Sequence, residues 1–452
     1  MFYLSHFFSD FLMTPVNQKF AEEKFMAENQ LTEDQKAGVK TIGTRVGSGS
    51  RTSLALFVVQ AGWILASMDY SVYNFALPLI IQDLKISLPT AGLIFFLSLQ
   101  GTFIGSLVIP LLADYFGRKR AMMVNILLYA LTTGAVAFTP SIAFLTIARF
   151  LVNFGVGGEQ PVGASYISEE WNSRTRGRAM GFMQSGYAIG ALLASILLAT
   201  VGSRFGWRPL FVIGIIPALL VVGIRSWLPE SRKWTASQEQ KSQAVTEQAQ
   251  EQGGFKLGQL FAPDLRKTTI IGTVLLIAGN IAGGGVFAWA PTFLKLSRGM
   301  DIASVGWYGI VLSLGQFVGY NAFGFIADHL GRRITMAIYF GLGILSVIAF
   351  GLVTNLVLLV CATFFVGFTL AGIFSGFIIY LAELFPTRAR ATGMGWCMGI
   401  GLFFWALVPY ILGLLATGSN LGTLFAISTP VACLIGMVTL FFAPETKGLE
   451  LQ

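Results

Sequence analysis

Twelve long apolar runs separated by short polar segments dominate the chain from residue 54 to residue 443. They cover 54–80, 91–113, 121–139, 141–166, 179–202 and 207–228, then 269–295, 303–327, 333–353, 354–382, 391–416 and 420–443. Each is near the ~20 residues that a helix needs to cross a bilayer, so each predicts one membrane-spanning helix. The runs are far longer than the alternating segments of about ten residues that mark a membrane barrel. Before the first run, residues 1–53 read as a cytoplasmic tail. Its stretch 17–51 is polar and mixed in charge, as disordered segments are. Residues 1–16 are apolar, but Asp10 interrupts them and no Lys or Arg precedes them, so they lack the basic start of a signal peptide. Met1, Met13 and Met26 are equally compatible with the start. Residues 229–268, rich in Gln, Ser and charge, read as a cytoplasmic linker between two halves, 54–228 and 269–443, with 444–452 as a cytoplasmic C-terminus.

Composition agrees with lipid as the main solvent. Hydrophobic residues make up 54% of the 452 residues and charged residues 12%, with a mean hydropathy of +0.70. Soluble domains carry about 25% charged residues. The fold class expected is therefore an all-α membrane protein with twelve transmembrane helices, since helices and closed barrels alone satisfy the backbone in lipid. The net charge of +8 does not point to nucleic acid, because the basic residues sit in clusters between apolar runs. With both termini inside, cytoplasmic segments hold 24 of the 30 Lys and Arg residues. The external loops hold Lys85, Arg204, Arg208, Lys295 and Arg298, and Arg149 lies within the fourth run. This asymmetry predicts a multi-pass inner (plasma) membrane protein with both termini in the cytoplasm. Three cysteines in apolar stretches offer neither a disulfide framework nor metal spacing. No P-loop is present, no cofactor is expected, and nothing points to an enzyme. A monomer is expected.

A repeat organises the chain. Asp114-Tyr115-Phe116-Gly117-Arg118-Lys119 follows the second run, and Asp328-His329-Leu330-Gly331-Arg332-Arg333 follows the eighth, at an offset of 214 residues. The same offset relates Tyr166, Glu169, Arg174, Arg176 and Gly181 to Tyr380, Glu383, Arg388, Arg390 and Gly395. One residue further, Pro229-Glu230 matches Pro444-Glu445. Each half then reads as one six-helix unit, and the two are related by an axis along the membrane normal. Carboxylates and guanidiniums at helix ends can lock one conformation and break in another. A latch role is therefore expected for Asp114, Gly117, Arg118, Glu169 and Arg176, and for Asp328, Gly331, Arg332, Glu383 and Arg390.

The loops Asp114 to Arg120 and Asp328 to Arg333 resemble the signature loops of the major facilitator superfamily, and the resemblance covers residues 54 to 449. That family usually has Gly four residues before the first Asp. Pro110 stands there, while Gly324 keeps the pattern in the second half. Pro229-Glu230-Ser231 and Pro444-Glu445-Thr446-Lys447-Gly448 are similar to elements of sugar porters, but the seventh run lacks their Gln-Gln pair. Trp289-Ala290-Pro291-Thr292 resembles an element of organic-acid:proton symporters. Gly158-Glu159 and Gly206-Trp207-Arg208-Pro209 resemble the sialic acid and metabolite:proton symporters. Asp69 matches the second acid of their Asp-Gly-Phe-Asp motif, and Ala66 replaces the first. The resemblance implies proton-coupled uptake of a small carboxylated metabolite, such as a sialate, an aromatic acid or a sugar acid. A sugar porter and a drug:proton antiporter are the alternatives.

Of 22 Asp and Glu residues, only Asp69 and Glu159 lie well inside a run. Intramembrane acids are costly and mark proton paths by default. Histidine is unavailable, because His6 and His329 fall outside the apolar runs. Asp69 and Glu159 are therefore the expected proton-coupling residues, and Asp69 is expected to face a central cavity beside Tyr73. Arg149 is the one basic residue deep inside a run. It shares a helix face with Asn153 and Gln160 and would meet either a substrate carboxylate or Asp69. Tyr70, Tyr73, Gln184, Asn280, Trp289 and Gln316 complete the expected substrate site, with Gln100 and Asn321 at similar depth.

Overall fold

The computed structural model describes residues 48–170, 176–226, 257–417 and 419–447. Twelve long helices follow one another there. The first six are α1 (Ser48–Leu84), α2 (Leu88–Phe116), α3 (Arg118–Ala137), α4 (Ile142–Glu170), α5 (Arg176–Leu197) and α6 (Arg208–Ser226). The last six are α7 (Arg266–Leu296), α8 (Ile302–Leu330), α9 (Arg332–Leu352), α10 (Leu356–Leu384), α11 (Thr387–Leu415) and α12 (Leu421–Phe442). No strand occurs among the described residues. Eleven of the helices are long and apolar enough to cross a membrane; for α6 many side chains lie outside the described set. Most of the predicted tail and linker, and Arg174 with them, also lie outside the described residues. Residues 56–452 form one compact unit, and the helix contacts below lie within it.

The repeat of the sequence is a repeat of geometry. Ser87 caps α2 by accepting from the backbone N–H of Thr90, and Asp301, 214 residues on, caps α8 by accepting from that of Ser304. An N-cap oxygen satisfies one of the amide groups that a helix start leaves open. Gly117 and Gly331 join α2 to α3 and α8 to α9 with φ of 103° and 97°. A side chain is strained at such angles, which is why glycine stands in both copies of the loop. The α2–α4 and α8–α10 pairs approach backbone to backbone. A Cβ on Gly101 or Gly105 would run into the carbonyl oxygens of Phe150 and Phe154; on Gly315 or Gly319 it would meet those of Phe364 and Phe368. All four contacts obey the same offset, and small residues are how membrane helices come this close.

Polarity is arranged for lipid. Leu107, Leu345, Phe365 and Val438 are at least half exposed, while Asp69, Arg149 and Glu159 are buried. The two halves meet through α2 with α11 and through α5 with α8. These contacts gather toward the end that carries the α1–α2 and α7–α8 loops. There a Cβ on Gly413 would meet Leu88 O at 2.8 Å, and one on Gly92 would meet Pro409 O at 3.0 Å. On the other interface a Cβ on Gly306 would meet the Ala199 nitrogen at 2.6 Å. Ala199 lies in a widened turn, Leu198–Gly202, that ends α5. Toward the opposite, basic end, Gly324 and Gly395 face open space.

Candidate functional site

Asp69 of α1 lies inside the first half, against α3 and α4. Its Oδ2 accepts from Arg149 Nη1 at 3.1 Å and its Oδ1 from Thr133 Oγ1 at 2.6 Å. Arg149 is 1% exposed, and its guanidinium stacks over the Tyr73 ring at 4.3 Å from the centroid. The stack follows from spacing, because Asp69 and Tyr73 are four residues apart on one face of α1. Asn153 donates to Arg149 O at 3.0 Å, one turn along α4. Arg149 Nε, Tyr73 OH and Asn153 Oδ1 are buried without a hydrogen-bond partner. Taking two charges out of water costs several kcal/mol per ion, so a pair this deep is weak evidence of a stabilising role and stronger evidence of a functional one.

Glu159 is ten residues further along α4, about 15 Å toward the basic end. It is buried, and Asn125 Nδ2 of α3 donates to its Oε2 at 3.2 Å. Asn125 and Thr133 were not among the expected site residues. The signal was available: Asn125, Tyr129 and Thr133 recur every fourth position and put three polar groups on one face of an apolar helix.

The remaining predicted residues divide. Tyr70 reaches across the halves: its hydroxyl accepts from the indole N–H of Trp405 on α11 at 3.0 Å. Trp405 and Trp63, a buried tryptophan of α1, are further residues that reading the sequence alone passed over. Trp289 instead donates to Pro409 O at 2.9 Å and is fully buried in the α7–α11 seam. Asn280 turns back on Leu276 O at 2.7 Å, beside Gly401. Gln316 is buried on α8, and its Oε1 has no partner. Gln184 is part-buried. Gln100 and Asn321 bond to carbonyls on their own helices, Phe96 O and Phe317 O. The Gln160 side chain lies outside the described residues.

At the basic end of the second half, Arg332 lies 3.1 Å from Glu383 and 3.1 Å from Asp328. Thr446 Oγ1 donates to Glu383 Oε2 at 2.6 Å. Glu445 accepts from the backbone N–H groups of Arg332 and Arg333 at 2.8 and 3.1 Å, placing a carboxylate on the start of α9. Tyr380 OH donates to Pro444 O at 2.7 Å. Asp328, Gly331, Arg332 and Glu383 thus come together, and they tie α8, α9, α10 and the segment after α12 within one half. Among the expected latch residues, the side chains of Asp114, Arg118, Glu169, Arg176 and Arg390 lie outside the described residues.

The family model of the Major Facilitator Superfamily matches residues 61–353 and 293–451. The chain belongs to that superfamily. It is a multi-pass membrane transporter and not an enzyme. A putative metabolite transport protein of Haemophilus influenzae is 28% identical over 88% of this chain and 97% of its own. A probable 4-methylmuconolactone transporter of Cupriavidus pinatubonensis is 29% identical over 87% of this chain and 90% of its own. The niacin transporter NiaP of Acinetobacter baylyi is 25% identical over 88% of this chain and 95% of its own. The fold is similar to that of the xylose transporter XylE of E. coli, whose partially occluded inward-open structure matches with a TM-score of 0.71 at 18% identity over 89% of this chain and 100% of that one.

Proposed function

We propose that this major facilitator transporter carries a small organic acid inward across the inner membrane together with a proton, by alternating access. The buried Asp69–Arg149 pair carries the proposal. In the empty carrier the ionised pair is neutral overall. Protonation of Asp69 removes the partner of Arg149 and leaves a guanidinium with unused donors. A substrate carboxylate then restores neutrality through a forked contact. The empty carrier and the carrier holding both proton and substrate have no net charge at this point, and both can cross the low-dielectric barrier. The half-loaded forms keep an unpaired buried charge, which is costly, and that cost is the coupling. Transport of a monoanion is electroneutral on this scheme. Glu159 is a second buried acid, nearer the basic end, and is the alternative proton carrier.

The charge asymmetry of the loops supports a reading with both termini and the basic end in the cytoplasm. The contacts of α2 with α11 and of α5 with α8 then lie on the outer side, and this conformation faces inward. The relatives named as transporters of niacin and 4-methylmuconolactone support a small unsaturated acid or its lactone as cargo.

Reconstituted vesicles test the reading. Asp69→Asn should abolish accumulation driven by an imposed pH gradient and should preserve counterflow, because the amide stands for the protonated acid. Glu159→Gln should spare accumulation if Asp69 carries the proton. Accumulation by both variants as in the wild type would overturn proton coupling through these carboxylates.

A further inference from the structure

Four of the largest buried side chains form one row across the halves. Trp289 of α7 lies at the seam where α2 meets α11, and its indole donates to Pro409 O at 2.9 Å. A Cβ on Gly413, the glycine that lies against Leu88 O, would meet Trp289 Cζ2 at 3.1 Å. The Phe95 ring of α2 lies 6.3 Å from that of Trp289, and the Tyr73 ring of α1 lies 5.2 Å from Phe95, edge to face. Tyr73 in turn carries the Arg149 guanidinium on its face. Each of the four is at most 2% exposed. The row crosses between the halves once, at Phe95 and Trp289. At the offset of the repeat, the equivalents of Trp289, Phe95 and Arg149 are Phe75, Gly309 and Thr363. There the row is broken. Those three residues line a small cavity instead, and a Cβ on Gly309 would meet Phe75 Cε1 at 2.6 Å. The scaffold closes its other seam, α5 against α8, without a ring at this place, so the packing of the repeat does not require Phe95.

We infer that Phe95 is a positioning residue that ties the α2–α11 seam to the pairing of Arg149, so that the seam stays closed only while this guanidinium is paired. The inference rests on Asp69 as the proton carrier and adds how the protein reads the state of that carrier. With the pair formed, Arg149 lies across Tyr73, and Tyr73 backs Phe95 against Trp289. Attraction between a cation and a ring is strongest when the cation is desolvated, so the paired position holds Tyr73 firmly. Protonated Asp69 no longer holds Arg149, and an unpaired buried guanidinium seeks another acceptor. Rings packed at interior density do not shift alone, so Tyr73 and Phe95 then loosen at the one contact that crosses to α7. A cargo carboxylate that pairs Arg149 again restores the row. The protonated carrier without cargo is thus kept from closing, which prevents the proton leak that a symporter must avoid. Coupling is reciprocal, so closing the seam favours the paired guanidinium by the same factor. Among the described residues, Arg149 of α4 is the charged group that faces Asp69. α3 presents the uncharged Thr133, α5 packs Gly190 on Ser67, and Tyr73 is the titratable neighbour on α1.

Thiol labelling of the reconstituted full chain from outside tests the tie. Leu88→Cys puts a thiol at the part-buried edge of the seam, and alanines replace the three native cysteines. Its rate with a membrane-impermeant maleimide is divided by that of Thr354→Cys, in an exposed loop, which corrects for thiol ionisation. The normalised rate should rise at least about fivefold from alkaline to acid pH, the lower end of ordinary coupling. Asp69→Asn should hold it at the acid level at every pH. Phe95→Leu should flatten the response, and Phe95→Met takes its place should the leucine variant not fold. Phe75→Leu, the same change beside the other seam, should keep the wild-type response. A wild-type response in the folded Phe95 variant overturns the inference and leaves Asp69 as the proton carrier. Equal flattening by Phe75→Leu also overturns it, because any loosening of the outer side would then suffice. A flat wild-type profile overturns the inference alone. A full response that persists in Asp69→Asn overturns the Asp69 reading and the inference with it.

Discussion

The two halves share a frame and divide the work. Ser87 and Asp301, Gly117 and Gly331, and the paired glycines of α2 and α8 occupy equivalent places and do equivalent things. The chemistry inside the membrane is not repeated. At the offset of the repeat, Asp69 corresponds to Gly283, Arg149 to Thr363 and Glu159 to Ile373. Where the first half buries a carboxylate, the second has a glycine, and the space admits the indole of Trp405. One half holds charge, and the other supplies a hydrocarbon and aromatic surface. A duplicated scaffold keeps the positions that set helix ends and close approach, because backbone geometry depends on them. Positions on the central faces are free to diverge, since no helix contact requires the same side chain twice.

The largest expected consequence of this division is at the ion pair. Arg149→Met leaves Asp69 buried without its partner and should cost about 3–5 kcal/mol of stability, the usual penalty for breaking a buried pair. Thermal unfolding in detergent measures it. Adding Asp69→Asn should restore most of the loss, because an amide carries no charge to strand. Recovery of nothing would mean that Arg149 acts through packing on Tyr73 rather than through charge.

A smaller effect is expected at the equivalent place in the second half. Gly283→Val puts a side chain where Trp405 and Phe374 lie at 3.1 and 3.0 Å. Overpacking of this kind costs about 1–3 kcal/mol. The chain should still fold, with the Tyr70–Trp405 bond lost and transport impaired. An unaltered transport rate would show that the indole position does not matter.

The smallest effect separates the caps. The hydrogen bond from Ser304 holds the Asp301 carboxyl below the ordinary carboxylate value. Its contribution is therefore present above that ordinary value and is lost as pH falls through the lowered one. Ser87 has no charge to lose. Ser87→Ala should destabilise α2 by about 1 kcal/mol at every pH. Asp301→Ala should cost a similar amount at neutral pH and progressively less in acid. Parallel pH profiles of Tm for the two variants would refute the distinction.

Much of this was legible in the chain itself. The apolar runs locate the helices to within a few residues, because a bilayer demands a minimum length of uninterrupted apolar sequence. The exceptions are informative. The first helix begins at Ser48 rather than 54, and helical backbone continues beyond α5, through the widened turn, to Phe205. Hydropathy marks where lipid begins, not where hydrogen bonding ends. The repeat and the two deep acids were visible too, since rare residues stand out against an apolar background.

The direction in which those acids point was not visible. Periodicity puts Asp69 and Tyr73 on one face of α1 but does not say which neighbour that face meets. The expected central cavity face is instead the interior of the first half, where Thr133 and Arg149 close on the carboxylate. Trp289, expected at the substrate, is consumed by Pro409 O. Trp405 and Trp63 look like two more apolar residues in a row of them. The chain by itself settles composition, spacing and symmetry, and these determine a twelve-helix transporter in two related halves. Which side chains share a space depends on how the helices rotate about their axes and cross one another. That is set jointly by contacts far apart in the chain, such as Gly101 against Phe150 and Gly283 against Trp405, and no local pattern encodes it.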